Sequence, residues 1–111
     1  MISRMEKLQA LLKVELSQIL REQIDLEDNV FITIVRIIIS RTLEHATVFI
    51  SVLPEQKTKQ LLSLIDGYIY TIQQALNKRL VLRKIPKLSF KLDTTEQHAA
   101  HIEKLIENSV K

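Results

Sequence analysis

The chain has no cysteine, no tryptophan, one glycine and two prolines. Without cysteine there are no disulfides, no thiolate metal ligands and no cysteine nucleophile, and a reducing compartment is compatible. The single glycine, Gly67, cannot build a glycine-rich phosphate loop, and no G-x-S-x-G nucleophile elbow occurs. Aromatic residues amount to 5%. Proteins that hold single strands stack bases on aromatic rings, so this scarcity favours reading of backbone and shape over unstacked bases. No apolar run reaches the roughly 20 residues of a membrane span. The longest candidate, FITIVRIII, is broken by Arg36. MISRMEKLQALLKVELSQIL, at the N-terminus, carries charges throughout and lacks the apolar core and cleavage site of a signal peptide. No segment pairs a basic face with exposed large aromatics, as a membrane-surface helix does. The expectation is a soluble, cytoplasmic chain without membrane contact.

What is present suits one compact domain, residues 1–111, with 46% hydrophobic residues to build a core. The net charge is only +3, but it is unevenly spread. Residues 1–28 carry four cations and six acids, residues 29–92 ten and three, residues 93–111 two and four. A basic middle between mildly acidic ends favours a polyanionic partner. An ordinary surface asymmetry accounts for the charge equally well.

Leu8, Leu11, Leu12, Leu16, Ile19 and Leu20 recur at helical spacing and predict a helix over 3–23. Ser3 and Glu6 have capping-box spacing. FITIVRIIIS, residues 31–40, is rich in β-branched residues and predicts a mostly buried strand. HATVFISVL, residues 45–53, alternates: Ala46, Val48, Ile50 and Val52 face one way; His45, Thr47, Phe49 and Ser51 the other. The short connection predicts an antiparallel pair. Pro54 ends the second strand. Leu61, Leu62, Ile65, Ile69, Ile72, Leu76 and Leu80 then mark helix through Gly67, which either separates two helices or kinks one. The stripe keeps its phase across Gly67, which favours one long helix or a mild bend. KLSFKLD, residues 87–93, is a third alternating strand with Leu88, Phe90 and Leu92 inward. Asp93, Thr94 and Thr95 offer caps for a last helix to about 108, with Ile102, Leu105 and Ile106 buried. The fold class is α+β, a three-stranded sheet packed by helices.

Signals for catalysis are weak. His98 and His101 stand at i, i+3 with Glu103 near, a spacing that can hold a metal. No third ligand is evident and His45 would have to arrive from a strand, so solvated histidines are the simpler account. Glu27/Asp28 and Glu103/Glu107 do not suggest acid–base work. The expectation is no enzyme, no metal and no cofactor. The best signal is NKRLVLRKIPK, residues 77–87, with Lys78, Arg79, Arg83, Lys84 and Lys87. Cations at a helix C-terminus complement its dipole by roughly 0.3–1 kcal/mol each. That covers Lys78 and Arg79 but not Arg83, Lys84 and Lys87, which fall in the turn to the third strand. A basic turn beside a helix end can follow a phosphate backbone. Arg41, Lys57 and Lys59 extend the candidate surface.

Two segments carry a resemblance. ISRTLEHATVFISVL, residues 39–53, and NKRLVLRKIPKLSFKLD, residues 77–93, resemble the ribosome-binding factor A family. The first is similar to V-S-x-D-L-x-x-A-x-V-x-V-S through Ser40, Leu43, Ala46, Val48, Ile50 and Ser51, with Thr42 replacing the usual acid. The second is similar to G-K-x-L-x-L-R-x-x-P-x-L-x-F-x-x-D through Lys78, Leu80, Leu82, Arg83, Pro86, Leu88, Phe90 and Asp93, with Asn77 replacing glycine. The resemblance implies a type II KH-like domain lacking the G-x-x-G loop. It also implies a non-catalytic assembly factor that binds the 16S ribosomal RNA of the immature small (30S) subunit and assists late maturation at the RNA's 5′ end. An assembly GTPase is a further implied partner; a monomer is expected. The family's A-x-G interhelical kink falls here on Tyr68, Ile69 and Tyr70, so either the kink has moved to Gly67 or the helices run on. A different class of function remains open at this stage: a module whose basic surface meets an acidic protein.

Overall fold

The computed structural model describes residues 2–94. They form, in order, α1 (Arg4–Gln23), β1 (Phe31–Ile39), β2 (His45–Leu53), a 3-10 turn (Glu55–Lys57), α2 (Thr58–Gly67), α3 (Ile69–Arg79) and β3 (Lys87–Leu92). The helix expected to about 108, with His98, His101, Ile102, Glu103, Leu105, Ile106 and Glu107, lies outside the described residues.

α1 starts where its sequence asks. The Ser3 hydroxyl accepts from the Glu6 N–H at 3.1 Å, which satisfies one of the first-turn donors. Leu12, Leu16, Ile19 and Leu20 are buried on one stripe, and α1 packs on β1 and α3. Each such side chain contributes about 1.5–3 kcal/mol on burial.

The sheet order is β1-β2-β3. β1 and β2 pair antiparallel, and β2 and β3 pair parallel. The connection at 40–44 is organised by Ser40. Its Oγ accepts from the N–H groups of Glu44 (3.1 Å) and His45 (3.0 Å), and its own N–H donates to the His45 carbonyl (2.9 Å). Leu43 takes a left-handed backbone there, φ 62°. That costs about 1–2 kcal/mol for a residue with a Cβ. Packing of the Leu43 side chain against the core offsets it.

β2 alternates as its sequence predicts: Ala46, Val48, Ile50 and Val52 are buried. β1 corrects the expectation of a mostly buried strand. Its register shifts between Ile34, opposite Ile50, and Arg36, opposite Phe49, so Val35 is an extra residue. Before this bulge Ile34 is inward; after it Ile37 and Ile39 are inward. The run of apolar residues thus conceals two half-strands of opposite phase. Phe31, Val35 and Ile38 are exposed.

The long helix favoured by the continuous stripe is interrupted. Tyr68 separates α2 from α3 with φ −104° and ψ 9°, and its N–H reaches the carbonyls of Ile65 (2.9 Å) and Leu64 (3.2 Å). The break is a single residue, so the stripe stays in phase: Leu61 and Ile65 before it, Ile72 and Leu76 after it, are all buried. The segment opens as a 3-10 turn rather than directly as α-helix. All three helices cover the face of the sheet that carries Ile34, Ile37, Val48, Ile50, Leu88 and Phe90.

Candidate nucleic-acid interface

The basic segment is held at both ends and free between them. Leu80 and Pro86 are buried, and Ile85 is partly so. Val81, Leu82, Arg83 and Lys84 are exposed. The motif spacing groups Leu82 with the scaffold; it is exposed instead, because only the flanking residues reach the core.

A residue that sequence reasoning missed fixes this geometry. Gln73 on α3 donates from Nε2 to the Pro86 carbonyl (3.1 Å) and to Asn77 Oδ1 (3.1 Å). Its Oε1 accepts from the Leu88 N–H (2.9 Å). One side chain therefore bonds helix, turn and strand start together. A glutamine within a helical run gives no sign of this in sequence.

The N-terminal ends of β2 and β3 lie side by side, with His45 opposite Lys87. The Lys87 N–H donates to the Glu44 carbonyl at 2.9 Å, which ties the 40–44 connection to the 80–86 turn. One pole of the sheet thus collects Arg41 from the first connection, Arg83 and Lys84 from the second, and His45 and Lys87 from the strand starts. Lys78 and Arg79 lie in the last turn of α3, on the side that meets α1, where they line a groove with Gln23, Tyr70 and Gln74. The two segments that carry the family resemblance are therefore neighbours in space.

Not every candidate cation is equally available. Arg79 is clamped by Glu22 and by Glu15, at 3.7 Å from the second, both on α1. Lys84 Nζ lies 3.4 Å from Glu44 Oε1, with both groups about half exposed. Arg41, Lys78, Arg83 and Lys87 have no ion-pair partner among the described residues. Exposed pairs such as Lys84–Glu44 contribute about 0–1 kcal/mol and open readily to a phosphate.

Lys57 and Lys59 do not join this pole. They follow the C-terminal end of β2, about 25 Å away along a nine-residue strand. Lys57 pairs there with Glu27 at 3.2 Å. The pair borders a cavity of about 430 Å³ lined by Val30, Leu61, Leu64 and Tyr68. Among the described residues no group of three or more His, Asp or Glu could hold a metal, and no described helix is long and apolar enough to cross a membrane.

The family model described as ribosome-binding factor A matches residues 4–106. The chain belongs to the ribosome-binding factor A family. The ribosome-binding factor A of Natranaerobius thermophilus is 36% identical over 104 residues, covering 93% of this chain and 79% of the relative. The crystal structure of the Thermus thermophilus factor superposes with a TM-score of 0.69 at 20% identity, over 81% of this chain and 97% of that one. A homology model of the Thermus thermophilus factor, fitted into a cryo-electron-microscopy map of its 30S complex, gives a TM-score of 0.62 at 23% identity, over 78% of this chain and 92% of that one. The α+β arrangement is the KH-like fold of ribosome-binding factor A. The interhelical break sits at Gly67–Tyr68.

Proposed function

We propose that this chain is a ribosome-binding factor that engages the immature small ribosomal subunit through the basic pole, by contacts to the phosphates of 16S ribosomal RNA. The observation that carries the reading is the convergence of Arg41, Arg83 and Lys84 from two separate connections, and Lys87 from the start of β3, onto one end of the sheet. Lys78 adds a further charge on α3, and Arg79 ties α3 to α1. The relative from Thermus thermophilus that was fitted into a 30S complex supports the choice of subunit. The factor acts without catalysis, late in assembly and near the 5′ end of the RNA, as a cytoplasmic monomer alongside an assembly GTPase.

Phosphate contacts release counterions, so affinity falls with salt. Four or five such contacts give a log–log slope of about −3 to −4. Co-sedimentation with small subunits across a salt series measures it. Replacing Arg83, Lys84 and Lys87 together by glutamine lowers affinity at least about tenfold and flattens the slope by about 2. Undiminished binding by that variant would remove the pole from the interface. Binding to lysate proteins that survives nuclease treatment would assign the pole to an acidic protein instead.

A further inference from the structure

The face of the sheet opposite the helices is uncovered among the described residues, and its side chains are not arbitrary. The bulge at Val35 decides what lies there. Continued without it, the alternation that places Ile34 inward would place Arg36 inward too. The extra residue instead turns Arg36 out, over the ring of Phe49 at 4.6 Å from its centroid. Asp93, just past β3, lies 3.6 Å from the guanidinium and holds it in place. Phe49 in turn faces Lys91 across the parallel pair. One row across the sheet therefore reads Arg36, Phe49, Lys91. The next reads Ile38, Thr47, Ser89, and the one after that His45, Lys87. This last row adjoins the basic pole, and the exposed Ile38 lies between it and Arg36.

We propose that this open face binds unpaired ribonucleotides, with Arg36 on Phe49 as the stacking platform and Lys91 as a phosphate contact. A guanidinium whose inner face rests on an aromatic ring offers its outer face to a base, and arginine planes stack bases as aromatic rings do. The Arg36 side chain is 49% exposed, so that outer face is open. Thr47, Ser89 and Ser51 are short, which leaves room for a flat base, and their hydroxyls can meet base edges or a 2′-hydroxyl. The cations Arg36, Lys87 and Lys91 outnumber the single acid Asp93 along these rows, which favours a polyanion over an apolar protein surface. The proposal rests on the RNA-binding reading of the pole and extends it: RNA backbone anchored at the strand starts continues as single strand across the sheet.

The test uses the full chain and a fluorescently labelled single-stranded oligoribonucleotide of about eight nucleotides, in adenosine and uridine versions. NMR titration of the unaltered protein should shift the amides of Thr47, Phe49, Ser89 and Lys91. Shifts confined to other surfaces overturn the proposal without any variant being made. The double variant Arg36→Gln/Phe49→Thr should weaken oligonucleotide binding about tenfold. Arg36→Lys, which keeps charge but removes the plane, should lose several-fold. Equal affinity of Arg36→Lys and the parent would reduce the platform to charge alone and overturn it. If the variant at 83, 84 and 87 loses subunit binding while Arg36→Gln/Phe49→Thr keeps full oligonucleotide affinity, the RNA reading stands and the sheet-face proposal fails. Loss of a protein partner from nuclease-treated lysate, with no amide shifts from RNA, would give the face to a protein and overturn the proposal.

Discussion

Gln73 and Arg79 stand four and ten residues into α3 and show how much one side chain can decide. Replacing Gln73 by leucine leaves the Leu88 N–H and the Pro86 carbonyl without the bonds they now make. Each partly buried group stranded this way costs about 1–3 kcal/mol. Urea denaturation of Gln73→Leu should show a lowered midpoint at unchanged slope, with a total loss of about 2–3 kcal/mol. Arg79 gives the opposite kind of expectation. Its guanidinium is occupied by Glu15 and Glu22. Arg79→Gln should therefore change subunit affinity less than twofold while costing about 1 kcal/mol of stability, allowing for screening of a pair that is partly exposed. A tenfold loss of subunit binding would show that RNA displaces the carboxylates. Neither role was legible in sequence. The charge of Arg79 was plain, but Glu22 lies 57 positions away, and only the packing of α1 on α3 brings it near. Ser40 was legible in part: it belongs to the motif that carries the resemblance, while its bonds to Glu44 and His45 needed the hairpin.

At the level of elements, period and caps carried most of the reading. α1, with Ser3 at its start, and the alternation of β2 and β3 follow from local pattern, because each has one face on the core and one outside. Two elements differ from their sequence reading for the same reason: local pattern does not record a change of phase or its absence. In β1 eight of nine residues are β-branched or aromatic, so the switch at Val35 had nothing polar to mark it except Arg36. In α2 and α3 the stripe continues across a backbone break because the break spans one residue. Gly67 itself is not what the break requires. It has no positive φ, a Cβ there would meet nothing within 4 Å, and the irregular dihedrals belong to Tyr68. Gly67→Ala should accordingly stabilise the protein by about 0.4–1 kcal/mol through the unfolded chain. A thermal melt should show a rise of a few degrees. A fall would mean that the helix end must move during function or folding, and that glycine serves the movement.

On the scale of the molecule, the uneven charge was visible in sequence but its geography was not. Ten of the cations lie between residues 29 and 92, yet the fold distributes them over both ends of the sheet, its open face and α3. Lys57 and Lys59, near neighbours of the basic segment by composition, sit at the far pole. Converting both to glutamine should leave small-subunit affinity within about twofold and the salt slope unchanged, in contrast to the variant at 83, 84 and 87. What sequence lacked was the placement of β3, since alternation identifies a strand but not its neighbour or its direction. That placement also orders events in time. β1 and β2 are joined by residues 40–44 and can zip as a hairpin, whereas β3 reaches β2 only after residues 54–86 have folded back as a crossover. Lys87 meets the Glu44 carbonyl in that last pairing. On this topology the pole is expected to complete with the docking of β3, so that a partly unfolded chain would carry the charges without the surface. In a refolding experiment, recovery of RNA binding should follow the formation of β3 rather than that of the hairpin, so that only a finished molecule competes for the ribosome.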